Sequence, residues 1–299
     1  MHAELARRVA AIGDVVGPDA AEASRELFAP LHETPPYDGV SVVRDAAYGP
    51  HERHRLDVFT PAGGRDLPVV VFVHDGGFVA GDKCTEGTPY HDNVGLWAAR
   101  SGMVGVTMNY RLAPEHGWPS GAEDVAAAAA WLAAHAGEHG GDPARIVLMG
   151  SSAGATHVAG YAGMAHRDPG VRGIALLSGA YDLELFDPAI LEPYLGSDPG
   201  VVRAASPLAG LVGSGLPILF AVAQHDPDIS HRQAAALFDA LFERDGRVPP
   251  MAFLPGHNHF TEVLHLNAMD DVLGRQLVAF VEQHARPVAA GLAAGAASG

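Results

Sequence analysis

One cysteine, Cys84, is all the sequence contains, so no internal disulfide can form and nothing in the pattern requires an oxidising compartment. No run approaches the ~18 apolar residues of a membrane-spanning helix. The opening Met1 to Arg8 lacks the apolar core of a secretory signal, so the expectation is a cytoplasmic protein with no membrane partner. Basic residues are scarce as well. The 19 Lys and Arg stand against 35 Asp and Glu, a formal charge of −16, which argues against nucleic acid and anionic surfaces as partners. The low hydrophobicity that marks disorder is also missing, because 48% of the 299 residues are apolar, ample for a buried core. No internal repeat is evident.

What is present has an order. Residues 1–36 carry helical spacing (Leu5, Val9, Ile12; Ala21, Leu27, Leu31) and stop at Pro35-Pro36, which reads as a helical flap. Ser41 to Ala46 and Arg55 to Phe59 alternate in polarity, as half-buried antiparallel strands of an edge hairpin do. Six nearly continuous apolar runs follow: Pro68 to Val73, Met103 to Met108, Arg145 to Met149, Gly173 to Leu177, Pro217 to Val222 and Met251 to Leu254. Continuous apolarity predicts strands buried on both faces of a parallel sheet, and helical stretches lie between them. The expected fold class is therefore α/β, a single domain over 37–288 with helices on both faces of a mostly parallel sheet. A Pro- and Gly-rich interruption at about 181–215 is expected to form a small helical cap over the carboxyl ends of the strands. The closing 289–299, only Ala, Gly, Leu and Ser, is expected to be a flexible tail.

Gly150-Ser151-Ser152-Ala153-Gly154 directly follows the third of these runs, giving strand, tight turn and helix, the nucleophile elbow of an α/β-hydrolase. The two glycines relieve the crowding that so sharp a turn creates, and Ser152 is the predicted nucleophile. In this fold an acid and then a histidine follow the serine, each at the carboxyl end of a strand. Pro217 to Ala223 leads into Asp226, the preferred acid, with Asp228 and Asp182 as alternatives that could equally be turn or helix-capping residues. Met251 to Leu254 leads into His257 and His259, one of which must be the base. The pair His257-x-His259 has no cysteine or carboxylate at ligand spacing, so no metal site is expected, and His51-x-x-His54 reads as surface. Oxyanion donors are expected from the N–H of Ala153 at a helix N-terminus and from the loop His74-Asp75-Gly76-Gly77-Phe78 after a strand.

Four stretches resemble the hormone-sensitive-lipase-like bacterial esterases and their kynurenine-formamidase-like relatives among the α/β-hydrolases, over roughly Tyr37 to the final helix. They are Leu56 to Pro61, His74 to Phe78, Asn109-Tyr110-Arg111-Leu112-Ala113-Pro114-Glu115, and the elbow. The resemblance implies Ser152, Asp226 and His259 as the triad, and Gly76, Gly77 and Ala153 as the oxyanion amides. His74 would hold the loop and Glu115 would brace its neighbourhood. Two positions depart from the family pattern. Asp75 replaces a glycine and is expected to point away from a site that must accept negative charge, and Ser151 replaces the aspartate that usually precedes the nucleophile.

The expected function is a cofactor-free serine hydrolase of the carboxylesterase type, cleaving esters of short- to medium-chain or small aromatic acyl groups through an acyl-enzyme. Phe78 and Trp118 are candidates to line its pocket. An arylformamidase or amidase acting on N-formyl or N-acyl aryl substrates needs the same triad. A ligand-binding protein on a retired hydrolase fold would normally have lost a member of it. The pattern is compatible with a homodimer.

Overall fold

The computed structural model describes residues 3–269 and 271–286. Its centre is one eight-stranded sheet in the order β1-β2-β4-β3-β5-β6-β7-β8. The strands are β1 (Val40–Ala47), β2 (Arg55–Pro61), β3 (Leu67–Val73), β4 (Val104–Met108), β5 (Gly141–Ser151), β6 (Val171–Leu177), β7 (Ile218–His225) and β8 (Met251–Asn258). β2 pairs antiparallel with β1 and β4, and every other pairing is parallel.

The continuous apolar runs feed two cores at once, because successive side chains of a strand point to opposite faces. Val69, Val71 and Val73 of β3 enter one core, while Val70 and Phe72 enter the other. Two N-terminal helices come first, α1 (Ala3–Ile12) and α2 (Pro18–Phe28), followed by α3 (Asp92–Arg100), α4 (Ser120–His135) and α5 (Ala153–Ala162). The cap region contributes α6 (Pro188–Leu195), α7 (Pro199–Ala205) and α8 (Leu208–Gly213), and the chain continues through α9 (Asp228–Asp245), α10 (Thr261–Leu264) and α11 (Val272–His284). Val125, Val158, Leu211 and Leu237, from α4, α5, α8 and α9, cover the first face. Trp97 of α3 and Leu277 and Phe280 of α11 cover the second.

Two strands differ from the sequence expectation, and their place in the sheet explains both. β2 is not half-buried: it lies between β1 and β4, and Leu56 to Phe59 are all buried. β8 reads as a doubly covered strand but closes the sheet, so Met251 and Phe253 are 40% and 48% exposed while Ala252 and Leu254 are buried. The Ala-rich α4 packs Ala128, Ala129 and Leu132 into the first core. Among the described residues no helix is long and apolar enough to cross a membrane. The expected tail at 289–299 lies outside the described residues.

α1 and α2 lie against the end of β8 and α10. Val9, Leu27 and Phe28 form a small core with Tyr90 and Leu264. Asn258 donates from Nδ2 to Ser24 Oγ at 3.1 Å, and Tyr90 donates to the Arg25 carbonyl at 3.0 Å.

Candidate active site

β5 delivers Ser152 at the turn into α5 in a conformation that L residues rarely adopt, φ 52° and ψ −119°. The turn can be this tight because a Cβ on Gly154 would sit 2.1 Å from the Val73 carbonyl oxygen, and one on Gly150 2.4 Å from the Gly154 carbonyl oxygen. β3 and β5 are hydrogen-bonded neighbours, so any side chain at Gly154 would push the elbow off the sheet. The Ser152 N–H donates to the Leu177 carbonyl at 2.8 Å, which anchors the elbow to the end of β6.

Of the three candidate acids, Asp226 faces the serine. It lies just past β7 and is 3% exposed, with Oδ1 2.7 Å from His259 Nδ1, and His259 Nε2 is 2.9 Å from Ser152 Oγ. Asp228 opens α9 in an ion pair with Arg232, both side chains being well exposed, and Asp182 caps a short 3-10 turn through the Glu184 N–H. His257 is turned away: its Nδ1 lies 3.2 Å from Thr261 Oγ1, and burial together with neighbouring His265 pushes its pKa down to about 2. Asn258 shapes the turn between the two histidines, its Oδ1 accepting from the N–H groups of Phe260 (3.2 Å) and Thr261 (3.0 Å).

The electrostatics suit a base. Burial alone would lower the pKa of His259, but the hydrogen bond and charge of Asp226, with a contribution from Asp75, outweigh it and hold the imidazole above its ordinary value. Burial works against the ionised form of Asp226 as well. Hydrogen bonds from His259, from Ser178 Oγ at 2.6 Å and from the Ala223 N–H at 2.7 Å more than offset it, so the carboxyl stays below its ordinary pKa.

The loop after β3 turns back on itself. Gly76 has φ 123°, and a Cβ there would meet the Ala80 carbonyl oxygen at 2.1 Å, while that backbone's own carbonyl accepts from Ala80 N–H at 3.0 Å. Gly76 and Gly77 donate no N–H bond within the loop, and Ala153 begins α5, where no helical carbonyl is available to its N–H. His74 is buried beneath the loop, Nδ1 2.6 Å from the Asp75 carbonyl oxygen and the ring stacked on Tyr110 at 4.3 Å. Arg53, absent from the sequence reading, ties this region together by donating to the carbonyls of Tyr110 (2.7 Å) and Gly81 (2.9 Å).

Several expectations need correction. Glu115 is exposed. The bracing comes instead from Arg111, which donates from its backbone N–H and guanidinium to the buried Asp124 at 2.7–3.1 Å. His54 is not a surface residue: it is buried, with Nε2 3.0 Å from Asp124, because the loop before β2 folds under the Asn109–Arg111 turn. The charge of Asp75 adds a minor contribution to raising the pKa of His259 and Glu262. Trp118 is 38% exposed, whereas Phe78 is buried and stacks on Tyr194 of α6 at 4.1 Å. Through that stack the cap closes on the nucleophile turn, with Ala153, Leu183, Leu191 and Leu195 in the same cluster. Sequence reasoning missed Ser178 and Glu262, which stand behind Asp226 (Ser178 Oγ to Glu262 Oε2, 2.9 Å). Neither lies in a recognisable motif. Among the described residues no cluster could hold a metal ion.

Residues 70–204 match the family described as alpha/beta hydrolase fold. Esterase LipQ of Mycobacterium tuberculosis is 29% identical over 241 residues, covering 72% of this chain and 56% of that protein. Carboxylesterase NlhH of the same organism is 40% identical over 123 residues, 40% of this chain and 33% of that protein. The chain thus spans about half or less of the length of these curated relatives. Among solved structures, esterase B from Lactobacillus rhamnosis superposes with a TM-score of 0.73 at 19% identity, over 89% of this chain and 93% of that one. A hyperthermophilic esterase from the archaeon Pyrobaculum calidifontis superposes with a TM-score of 0.67 at 26% identity, over 88% and 93%. With its sheet order, its strand-to-helix serine elbow and these likenesses, the chain has the α/β-hydrolase fold.

Proposed function

We propose that this chain is a serine carboxylic ester hydrolase that works through an acyl-enzyme. The observation that carries the reading is the unbroken line Ser152 Oγ, His259 Nε2, His259 Nδ1, Asp226 Oδ1, at 2.9 and 2.7 Å. Ser152 Oγ attacks the ester carbonyl carbon while its proton passes to His259 Nε2. The carbonyl oxygen becomes an oxyanion facing the N–H groups of Gly76, Gly77 and Ala153, at the positive end of the α5 dipole. Collapse expels the alcohol, which takes the proton from His259 and leaves Ser152 acylated. Water, deprotonated by His259, then releases the carboxylic acid and restores the serine. Asp226 stays ionised throughout and holds the Nδ1–H tautomer.

The Phe78–Tyr194 stack and the cap leucines clustered with Ala153 put apolar side chains next to the nucleophile turn, which favours short-chain and small aromatic acyl groups. The relatives named as esterases support the same class. The test compares p-nitrophenyl acetate, butyrate and dodecanoate, with an N-formyl aryl amide as a fourth substrate, in the full chain and in Ser152→Ala. Release of p-nitrophenol from the short esters that disappears in Ser152→Ala is expected. Equal rates in the two proteins would remove Ser152 as nucleophile, and faster cleavage of the amide would reassign the chain to amide chemistry.

A further inference from the structure

Ser178 stands just beyond β6 in the left-handed region, φ 44°, an uncommon backbone for serine. Its hydroxyl lies 2.6 Å from Asp226 Oδ2 and 2.9 Å from Glu262 Oε2. A serine hydroxyl has one hydrogen to give. Two ionised carboxylates on that hydroxyl would leave one of the contacts as bare oxygen against oxygen. The shorter contact goes to the triad acid, so the second must be donated by the Glu262 carboxyl itself. The surroundings agree: Glu262 is fully buried in α10 and pairs with no cation among the described residues. The titratable groups facing it are Asp226 after β7, Asp75 of the glycine loop, Tyr181 after β6 and, beyond Asp226, His259. Burial first, and then the Asp226 charge, push its carboxyl well above the usual carboxylate range.

The geometry points to a five-group chain, Glu262, Ser178, Asp226, His259 and Ser152, in which a proton-bearing Glu262 donates to Ser178 and Ser178 donates to Asp226. Glu262 and Ser178 are positioning residues. They aim the triad acid and fix its hydrogen-bond complement without adding a second negative charge behind it. The kinetic consequences rest on the serine-hydrolase reading, whereas the protonation state does not.

The experiment takes the full chain with Glu262→Gln, Glu262→Leu and Ser178→Ala. Gln is neutral and keeps a donor, so kcat/KM within about threefold of the parent and an unmoved acidic limb of the pH profile are expected. Leu and Ala break the chain and should lower kcat by up to about 10²-fold through misplacement of the triad, with KM little changed. The acidic limb in Ser178→Ala should move to higher pH, because an Asp226 that has lost a donor holds the imidazolium more tightly. Infrared spectra at pH 7 should show a protonated-carboxyl stretch in the parent that Glu262→Gln removes. That arm needs no turnover, so it separates failure of this inference from failure of the hydrolase reading, and Glu262→Gln is close enough in shape to fold if the other variants do not. Absence of the band, or an acidic limb moved about one unit down in Glu262→Gln as loss of a buried negative charge requires, would overturn the inference.

Discussion

Asp226 is the residue on which the site's chemistry turns. It accepts from His259, Ser178 and the Ala223 N–H, and it raises the pKa of His259 against the opposing effect of burial. A base must be neutral to work, so kcat/KM should rise with pH through an apparent pKa above the ordinary histidine value of about 6.5. Asp226→Asn should lower kcat by about 10⁴-fold through the wrong imidazole tautomer, and should shift what activity remains toward lower pH. A pH–rate profile of both proteins measures each effect. Strand ends, which apolar runs reveal, point to Ser152 and favour Asp226 over Asp228 and Asp182, but they leave His257 and His259 open, and only the family resemblance implies His259. Ser178 and Glu262 were not legible. Their meaning lies in facing one carboxylate from separate elements 84 residues apart in the chain. His54 was misread because two histidines at short spacing say nothing about which of them folds beneath a turn.

The elements tell a similar story about what patterns can reveal. Runs such as Val69 to Val73 mark β3 clearly, since both faces of that strand are covered. The same pattern at Met251 to Leu254 misled, because sheet order rather than composition decides that β8 is an edge. Between elements, Asp124 is the joint that no local pattern announces. It lies in α4 and accepts from Arg111 on the neighbouring turn and from His54 before β2. Asp124→Ala should destabilise the protein by about 3 kcal/mol, since it removes the acceptor of the Arg111 N–H and leaves its guanidinium only the Ser120 carbonyl and Glu123. Because that turn leads toward the glycine loop, activity should fall along with stability. Urea denaturation beside esterase kinetics would register both.

For the molecule as a whole, the N-terminal helices carry a consequence beyond their own small core. Phe28 is buried against the turn that carries His259, its ring 6.3 Å from His257, and Ser24 holds Asn258 in that turn. Phe28→Ala should cost about 3–5 kcal/mol by emptying that core. It should also lower kcat more than it raises KM, because the base is displaced while the acyl pocket beneath the cap is untouched. Thermal unfolding and steady-state kinetics on one preparation measure the two. A net charge of −16 leaves the surface strongly acidic, which favours neutral small molecules over anionic ones. Every role assigned to the site converges on a covalent bond at Ser152. The most direct measurement is therefore peptide mapping after treatment with diethyl p-nitrophenyl phosphate, a reagent that phosphorylates an activated serine and releases p-nitrophenol. One diethylphosphoryl group per chain is predicted, located on Ser152, and no labelling is predicted in His259→Ala. A label on another residue, or equal labelling without His259, would contradict the account.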